Sequence, residues 1–371
     1  MEIESCIAIV KKTGNACGNP VKVANYCGVH KKLAEIPTVV HDPGYYVPAN
    51  SQNDFVTDGA HLQDTLERFG VAIIRNVLSE EEIETFRNEV FDFIETVTSR
   101  FDVPFNRDDE TTWRSFYDLL PLHGMLIQHW SVGHAQASWN LRQNEKIVQI
   151  WSELWKRKPE DLLVSFDGMS FAPPHEVTKR GFYRNNKWFH FDQCYNDYDF
   201  SSIQSWVTAY DVNEGDATLT LIEGSHMLRP YFTRTHNLNG TTDWEKLTDA
   251  HIKWFTDRGC VIRDITCKSG DMIFWDSRTA HAGKEAIKDR AQRNFRSVIY
   301  LCYAPRECAT EVQLKKKREA FDNLRTTTHN PYKVKLFGVT PRLYDNLAPD
   351  VEKIAKPQLT SLGKRLAGFE K

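Results

Sequence analysis

The sequence predicts an α+β protein. Its core is a double-stranded β-helix of the jelly-roll or cupin-like kind, flanked by helices and preceded by a small zinc-binding module. Three observations predict this. Short apolar runs broken by Gly, Asn and Asp turns recur between Leu162 and Tyr303, the pattern of a double sheet. Capped amphipathic helical patterns occupy the preceding hundred residues. Three Cys and one His lie within 25 residues near the start.

At 371 residues with a net charge of −3, the chain suits one large domain with appendages, and no global field draws it to nucleic acid. Ten Trp and 12% aromatic residues fit a packed core and not disorder. The start, Met1 to Cys6, lacks signal-peptide features, and no apolar run matches a membrane span. The expectation is a soluble intracellular protein, cytoplasmic or nuclear. Its eight cysteines are then reduced, and clustered ones read as metal ligands.

Residues 1–36 form the first unit. Cys6, Cys17, Cys27 and His30 follow a Cys-x₁₀-Cys-x₉-Cys-x₂-His spacing and suit a closed Cys₃His zinc site. The segment has little apolar mass, so a metal clip would hold it together. Its lysines allow contact with nucleic acid or protein, although a solvated lysine face is the simpler reading. Residues 37–58, with Pro37, Pro43, Gly44 and Pro48, read as a linker.

The core is expected over residues 59–310. A helix covers Leu62 to Phe69, and a strand covers Val71 to Arg75. Ser79 and Glu82 form a capping box for a helix carrying Ile83, Phe86, Val90 and Ile94. Ile147, Ile150, Trp151, Leu154 and Trp155 mark another helix, which stops before Pro159; these aromatics read as core. Strands follow at Leu162–Phe166, Ser202–Tyr210, Ala217–Ile222, Cys260–Cys267, Met272–Trp275 and Phe295–Tyr303. Turns fall at Asn213 to Asp216 and at Ser269-Gly270-Asp271. Residues 229–258 show no period and read as an insertion. Residues 311–371 are a polar extension, with a basic helix near Gln313–Leu324.

The chemistry centres on Trp188-Phe189-His190-Phe191-Asp192-Gln193. In a strand, His190 and Asp192 share one face. Two His and one carboxylate with open positions is the ligand set of non-haem Fe(II) oxygenases. A third ligand is needed from a late strand. His281, 91 residues on, leaves room for the intervening strands, whereas His226 is more simply a residue of the Gly224-Ser225-His226 turn. Arg296 lies in the apolar run Phe295 to Tyr300. A buried guanidinium asks for an anion, and its planar fork suits the far carboxylate of a 2-oxoglutarate cosubstrate. Arg290 and Arg293 are the weaker candidates.

Together these motifs resemble the phytanoyl-CoA dioxygenase-like family of Fe(II)/2-oxoglutarate oxygenases, over roughly residues 60–310. The resemblance rests on WFHFDQ at 188–193, Gly224-Ser225-His226, Ser269-Gly270-Asp271, DSRTAHAG at 276–283 and the FRSVIYLCYA strand. It implies that His190, Asp192 and His281 bind iron and that Arg296 holds 2-oxoglutarate. The implied activity releases succinate and CO₂ and hydroxylates a C–H bond. Related halogenases lack the carboxylate, so Asp192 favours hydroxylation. The family's substrates vary widely. Lys179, Arg180 and Arg184, in the loop before the His-x-Asp segment, and the basic helix hint at an anionic small molecule. The alternative is a cupin-like metal-binding scaffold or an adaptor recruited through the zinc module.

Overall fold

The computed structural model describes residues 42–120, 125–185, 187–238, 240, 242–341 and 348–369. Two antiparallel sheets face each other. Eight core strands run in chain order as β1 (Met169–Ala172), β2 (His190–Phe191), β3 (Ile203–Thr208), β4 (Thr218–Glu223), β5 (Val261–Asp264), β6 (Met272–Asp276), β7 (His281–Lys284) and β8 (Arg296–Leu301). The larger sheet has the order β6-β3-β8-β1, extended by Val71–Ile74 beside β6 and by Leu126–Ile127 beside β1. The smaller sheet has the order β2-β7-β4-β5, with Glu245–Lys246 beside β2. Consecutive strands thus alternate between sheets at most steps, which is the expected jelly-roll winding.

Both faces of the larger sheet are buried, which is why its strands are apolar throughout instead of alternating. On the outer face, Val207, Phe274, Ile299 and Leu301 pack against Ile83, Phe86, Val90 and Trp151 of the helices. On the inner face, Trp206, Ile273, Trp275 and Val298 meet Leu219 and Leu221 of the smaller sheet.

The flanking helices match their sequence signals. Helix Glu80–Thr98 begins with the capping box: Glu82 N donates to Ser79 Oγ at 3.3 Å, and Ser79 N donates to Glu82 Oε2 at 2.8 Å. Such a cap stabilises by about 1 kcal/mol. Glu82 also accepts from Asn144 and Lys146, which ties this helix to the start of helix Glu145–Trp155. Burial alone would raise the Glu82 pKa, but these bonds hold it down to about 2. Trp155 Nε1 then anchors the second helix to Tyr303 O at 2.8 Å.

Three segments differ from expectation. The stretch 229–258 is not structureless: helix Ser225–Thr235 overlaps its start and helix Asp249–Thr256 lies within it, both packing aromatic rings onto Phe191. Their spacing was hidden because Pro230 and several His interrupt the apolar stripe. Residues 42–58 of the linker are seated on the core, with Tyr46, Ala49 and Phe55 buried and Tyr46 Oη donating to Glu223 Oε1 at 2.8 Å. In the basic helix, Glu311–Asp322, Lys317 turns inward over Phe166, so its charge does not serve the surface. Among the described residues, no helix is long and apolar enough to cross a membrane. The predicted zinc ligands Cys6, Cys17, Cys27 and His30 lie outside the described residues.

Candidate metal centre

Strands β2 and β7 are direct neighbours, and their register sets His190 opposite His281. The two imidazoles therefore meet across the ladder, with ring centroids 4.5 Å apart. The chain leaves β2 at Asp192, whose backbone N donates to Ser277 O at 3.1 Å. This turns the carboxylate back onto the pair. Asp192 Oδ1 is 3.5 Å from His190 Nε2, and Oδ2 is 3.2 Å from His281 Nε2. One donor atom from each of the three falls within 4.8 Å of the others.

The far side of each ring fixes its tautomer. His190 Nδ1 faces Trp188 O at 3.1 Å, and His281 Nδ1 faces Thr279 O at 2.9 Å. A carbonyl only accepts, so Nδ1 carries a proton and each Nε2 points into the cluster, the orientation that a metal ligand requires. Burial alone would raise the Asp192 pKa, but His190 and His329 charges and bonds from His190 and His281 hold it well below the usual carboxylate range. Burial and the neighbouring His190 push His281 down. Burial would lower His190 too, but the Asp192 charge outweighs it. A desolvated carboxylate flanked by two imidazole Nε2 atoms is the donor set of a divalent transition metal.

Arg296 projects from β8 beside the interior tryptophan of β3. Its guanidinium lies 4.8 Å above the Trp206 ring, donates from Nη1 to Ala217 O at 3.0 Å and meets the Tyr300 hydroxyl. Burial lowers its pKa, and no carboxylate lies within ion-pair distance of it among the described residues. Its Nε has no partner, nor does the buried Trp206 Nε1. A buried, unneutralised guanidinium with orphaned donors is the environment that a carboxylate completes. The rivals are already matched. Arg290 pairs with Glu176 and Asp216, and Arg293 pairs with Glu110. Asp216, a carboxylate whose charge reaches Arg296, is paired with Arg290 instead.

His226 stands apart from the cluster. Gly224 adopts φ +81°, and a helix begins at Ser225, so the motif is a helix start and not a free turn. His226 Nε2 bonds to Glu67 O at 2.9 Å, a packing role. Arg180 is likewise committed internally, to Leu120 O at 2.9 Å and over the Tyr117 ring.

Two neighbours escaped the sequence reading. Gln204 Nε2 donates to Asp192 Oδ2 at 2.8 Å. Its signal was legible: a glutamine of the same parity as Trp206 on an apolar strand faces the interior. His329, from the C-terminal extension, sets Nδ1 3.9 Å from Asp192 Oδ2. Nothing in its polar sequence context announced it.

Fold and cluster together define a class: a jelly-roll protein with the two-His, one-carboxylate set of Fe(II)/2-oxoglutarate oxygenases. The chain belongs to the phytanoyl-CoA dioxygenase (PhyH) family, whose model matches residues 66–291. It is similar to the Ava biosynthesis cluster protein O of Aspergillus versicolor, at 25% identity over 282 residues, 73% of this chain and 86% of that protein. Among solved structures, a hypothetical protein of Escherichia coli superposes with a TM-score of 0.53 at 13% identity, covering 85% of each chain. The GlcNAc inducible gene 2 protein of Candida albicans does so with a TM-score of 0.53 at 13% identity, covering 88% of this chain and 80% of that one. At such identities the structural likeness concerns the fold.

Proposed function

We propose that the protein is a dioxygenase that uses Fe(II) and 2-oxoglutarate to hydroxylate a C–H bond of its substrate, releasing succinate and CO₂. One observation carries this reading: His190, Asp192 and His281 converge inside a jelly roll that also holds an unneutralised Arg296. His190 Nε2, Asp192 and His281 Nε2 would hold the iron, and Arg296 would grip the distal carboxylate of the cosubstrate. Bound there, iron and 2-oxoglutarate supply the oxidising power that activates O₂ against a C–H bond. The chain's own groups do the rest. Trp188 O and Thr279 O keep the imidazoles in the ligating tautomer. Gln204 orients Asp192. Trp206 and Val298 keep the interior dry, which strengthens the Arg296 contact.

The test is succinate release from 2-oxoglutarate by the Fe(II)-loaded protein after air is admitted, beside His190→Ala and Arg296→Ala. Turnover that both substitutions abolish supports the reading. A protein that binds no Fe(II) would sink it.

We also propose that Cys6, Cys17, Cys27 and His30 hold one structural zinc ion. The support is four soft ligands in a segment too poor in apolar residues to fold unaided. Metal analysis of the full chain should find zinc that Cys17→Ser and Cys27→Ser lose.

A further inference from the structure

The C-terminal extension returns to the metal centre. Beyond helix Glu311–Asp322 the chain forms a hairpin over residues 326–337. Thr328 N donates to Lys335 O at 2.9 Å, Phe337 N donates to Thr326 O at 3.0 Å, and Thr327 pairs with Leu336. Asn330 Oδ1 closes its tip by accepting from the backbones of Tyr332 and Lys333. The hairpin is stitched to the core at Phe166, through Thr327 N to Phe166 O at 2.9 Å and Phe166 N to Thr327 Oγ1 at 3.1 Å. This lies next to Asp167, a carboxyl whose pKa burial raises.

The anchoring aims His329 at the Asp192 side of the centre. At 3.9 Å its Nδ1 is too far to hydrogen-bond Asp192. Among the described residues the ring makes no hydrogen bond, although it is only 17% exposed. An imidazole held at such a place without a hydrogen bond has donor and acceptor capacity left for a molecule outside the chain. The His190 side is walled differently. Trp188 stacks on His190 at 4.9 Å, and Trp244 lies over the same ring at 5.7 Å while remaining 50% exposed. Lys333 of the hairpin tip and Asp243, next to Trp244, approach to 3.8 Å and link the two rims.

We propose that hairpin 326–337 is a wall of the substrate pocket, with His329 hydrogen-bonding a polar group of the substrate and Trp244 covering an apolar or aromatic part. The substrate class this fits is an amphipathic small molecule that pairs a ring system with a hydrogen-bonding group. The proposal rests on the metal-centre reading above and deepens it.

Iron-localised oxidation tests it. The full-length protein is loaded with Fe(II), treated briefly with ascorbate and hydrogen peroxide, and mapped by peptide mass spectrometry. Oxidation is expected at His329 and Trp244 together with His190 and His281, and the exposed His61 should stay unmodified. The pattern should vanish in His190→Ala. Oxidation of the triad with His329 and Trp244 as unmarked as His61 would overturn the pocket assignment. Absence of oxidation at the triad itself would instead overturn the metal centre, and the pocket with it. In parallel, His329→Ala and His329→Gln should keep Fe(II) affinity within about twofold of the parent, because the residue faces the substrate. A loss of tenfold or more in both, with unchanged thermal stability, would make His329 part of the metal cage and refute the substrate-facing role.

Discussion

Gln204 Nε2 donates to Asp192 Oδ2 at 2.8 Å and to Ser277 Oγ at 3.2 Å, so one amide joins the candidate metal carboxylate to the turn before His281. Ser277 in turn bonds Ser202 Oγ at 2.9 Å. Groups that orient a ligating carboxylate this way are worth roughly 10- to 100-fold in metal affinity. Gln204→Leu should therefore weaken Fe(II) binding by about that factor while the fold persists. Competition titration with a metal-sensitive dye measures it. An affinity equal to that of the parent would show that the Asp192 backbone bond to Ser277 O suffices.

Arg296 should govern cosubstrate binding without touching the metal. Removing one partner of a buried, charge-assisted pair costs about 2–5 kcal/mol, or roughly 30-fold and upward in affinity. Calorimetric titration of the Mn(II)-loaded protein with 2-oxoglutarate should show that loss in Arg296→Ala, with Mn(II) affinity preserved. Arg296→Lys should recover only part of it, because a point charge cannot supply the planar fork. Equal 2-oxoglutarate affinity in all three proteins would remove Arg296 from the site.

What the sequence disclosed divides along physical lines. The triad was legible because a His and an Asp two residues apart stood in one aromatic segment, although Asp192 lies just past the strand and a backbone bond to Ser277 turns it inward, and because a jelly roll brings a late strand beside an early one. The burial of Arg296 was legible because a cation in an apolar strand is out of place. The helices of 225–256 were obscured by polar and proline interruptions, since their burial comes from aromatic rings meeting Phe191 across the fold. His329 was invisible for a deeper reason. Its position depends on hydrogen bonds between Thr327 and Phe166, 161 residues apart, which leave no periodic trace.

Gly70 couples the first helix to the His281 turn. Its φ of +78° ends helix Leu62–Phe69, and a Cβ there would sit 2.3 Å from Thr279 Oγ1 and 2.6 Å from His226 Nδ1. Its carbonyl accepts from Asp276 N and Thr279 Oγ1, both at 3.1 Å. Gly70→Ala combines left-handed strain of about 1 kcal/mol with a forced shift of buried neighbours. Urea unfolding should show a loss of roughly 2–4 kcal/mol. Because Thr279 O also orients His281, Fe(II) affinity should fall in the same variant. Loss of stability alone would mean that the turn absorbs the shift.

His134 makes the stability of the extension pH-dependent. It is fully buried against Phe166, Trp139 and Phe321, and both ring nitrogens face partners, Nε2 to Arg325 O at 3.1 Å and Nδ1 to Trp139 Nε1 at 3.5 Å. The carbonyl accepts from Nε2–H and the indole donates to Nδ1, so the neutral ring is the one that fits. Burial pushes its pKa down to about 3 in the folded protein, whereas the unfolded chain protonates it near 6.5. Between those values the unfolded state binds more protons, so falling pH favours unfolding. The contribution is complete above about pH 6.5 and is lost as pH falls toward 3, at about 1.4 kcal/mol per pH unit. His134→Gln lowers stability at pH 7 but lacks this slope. The gap between the two proteins should therefore narrow by about 2 kcal/mol between pH 7 and pH 5 in urea unfolding. A constant gap would mean that His134 is protonated as readily folded as unfolded. Because Arg325 leads directly into the hairpin that carries His329, the same acid titration should raise hydrogen exchange at Thr326–Thr328 before global unfolding. Exchange that rises there only together with the core strands would instead place His134 in the global cooperative unit.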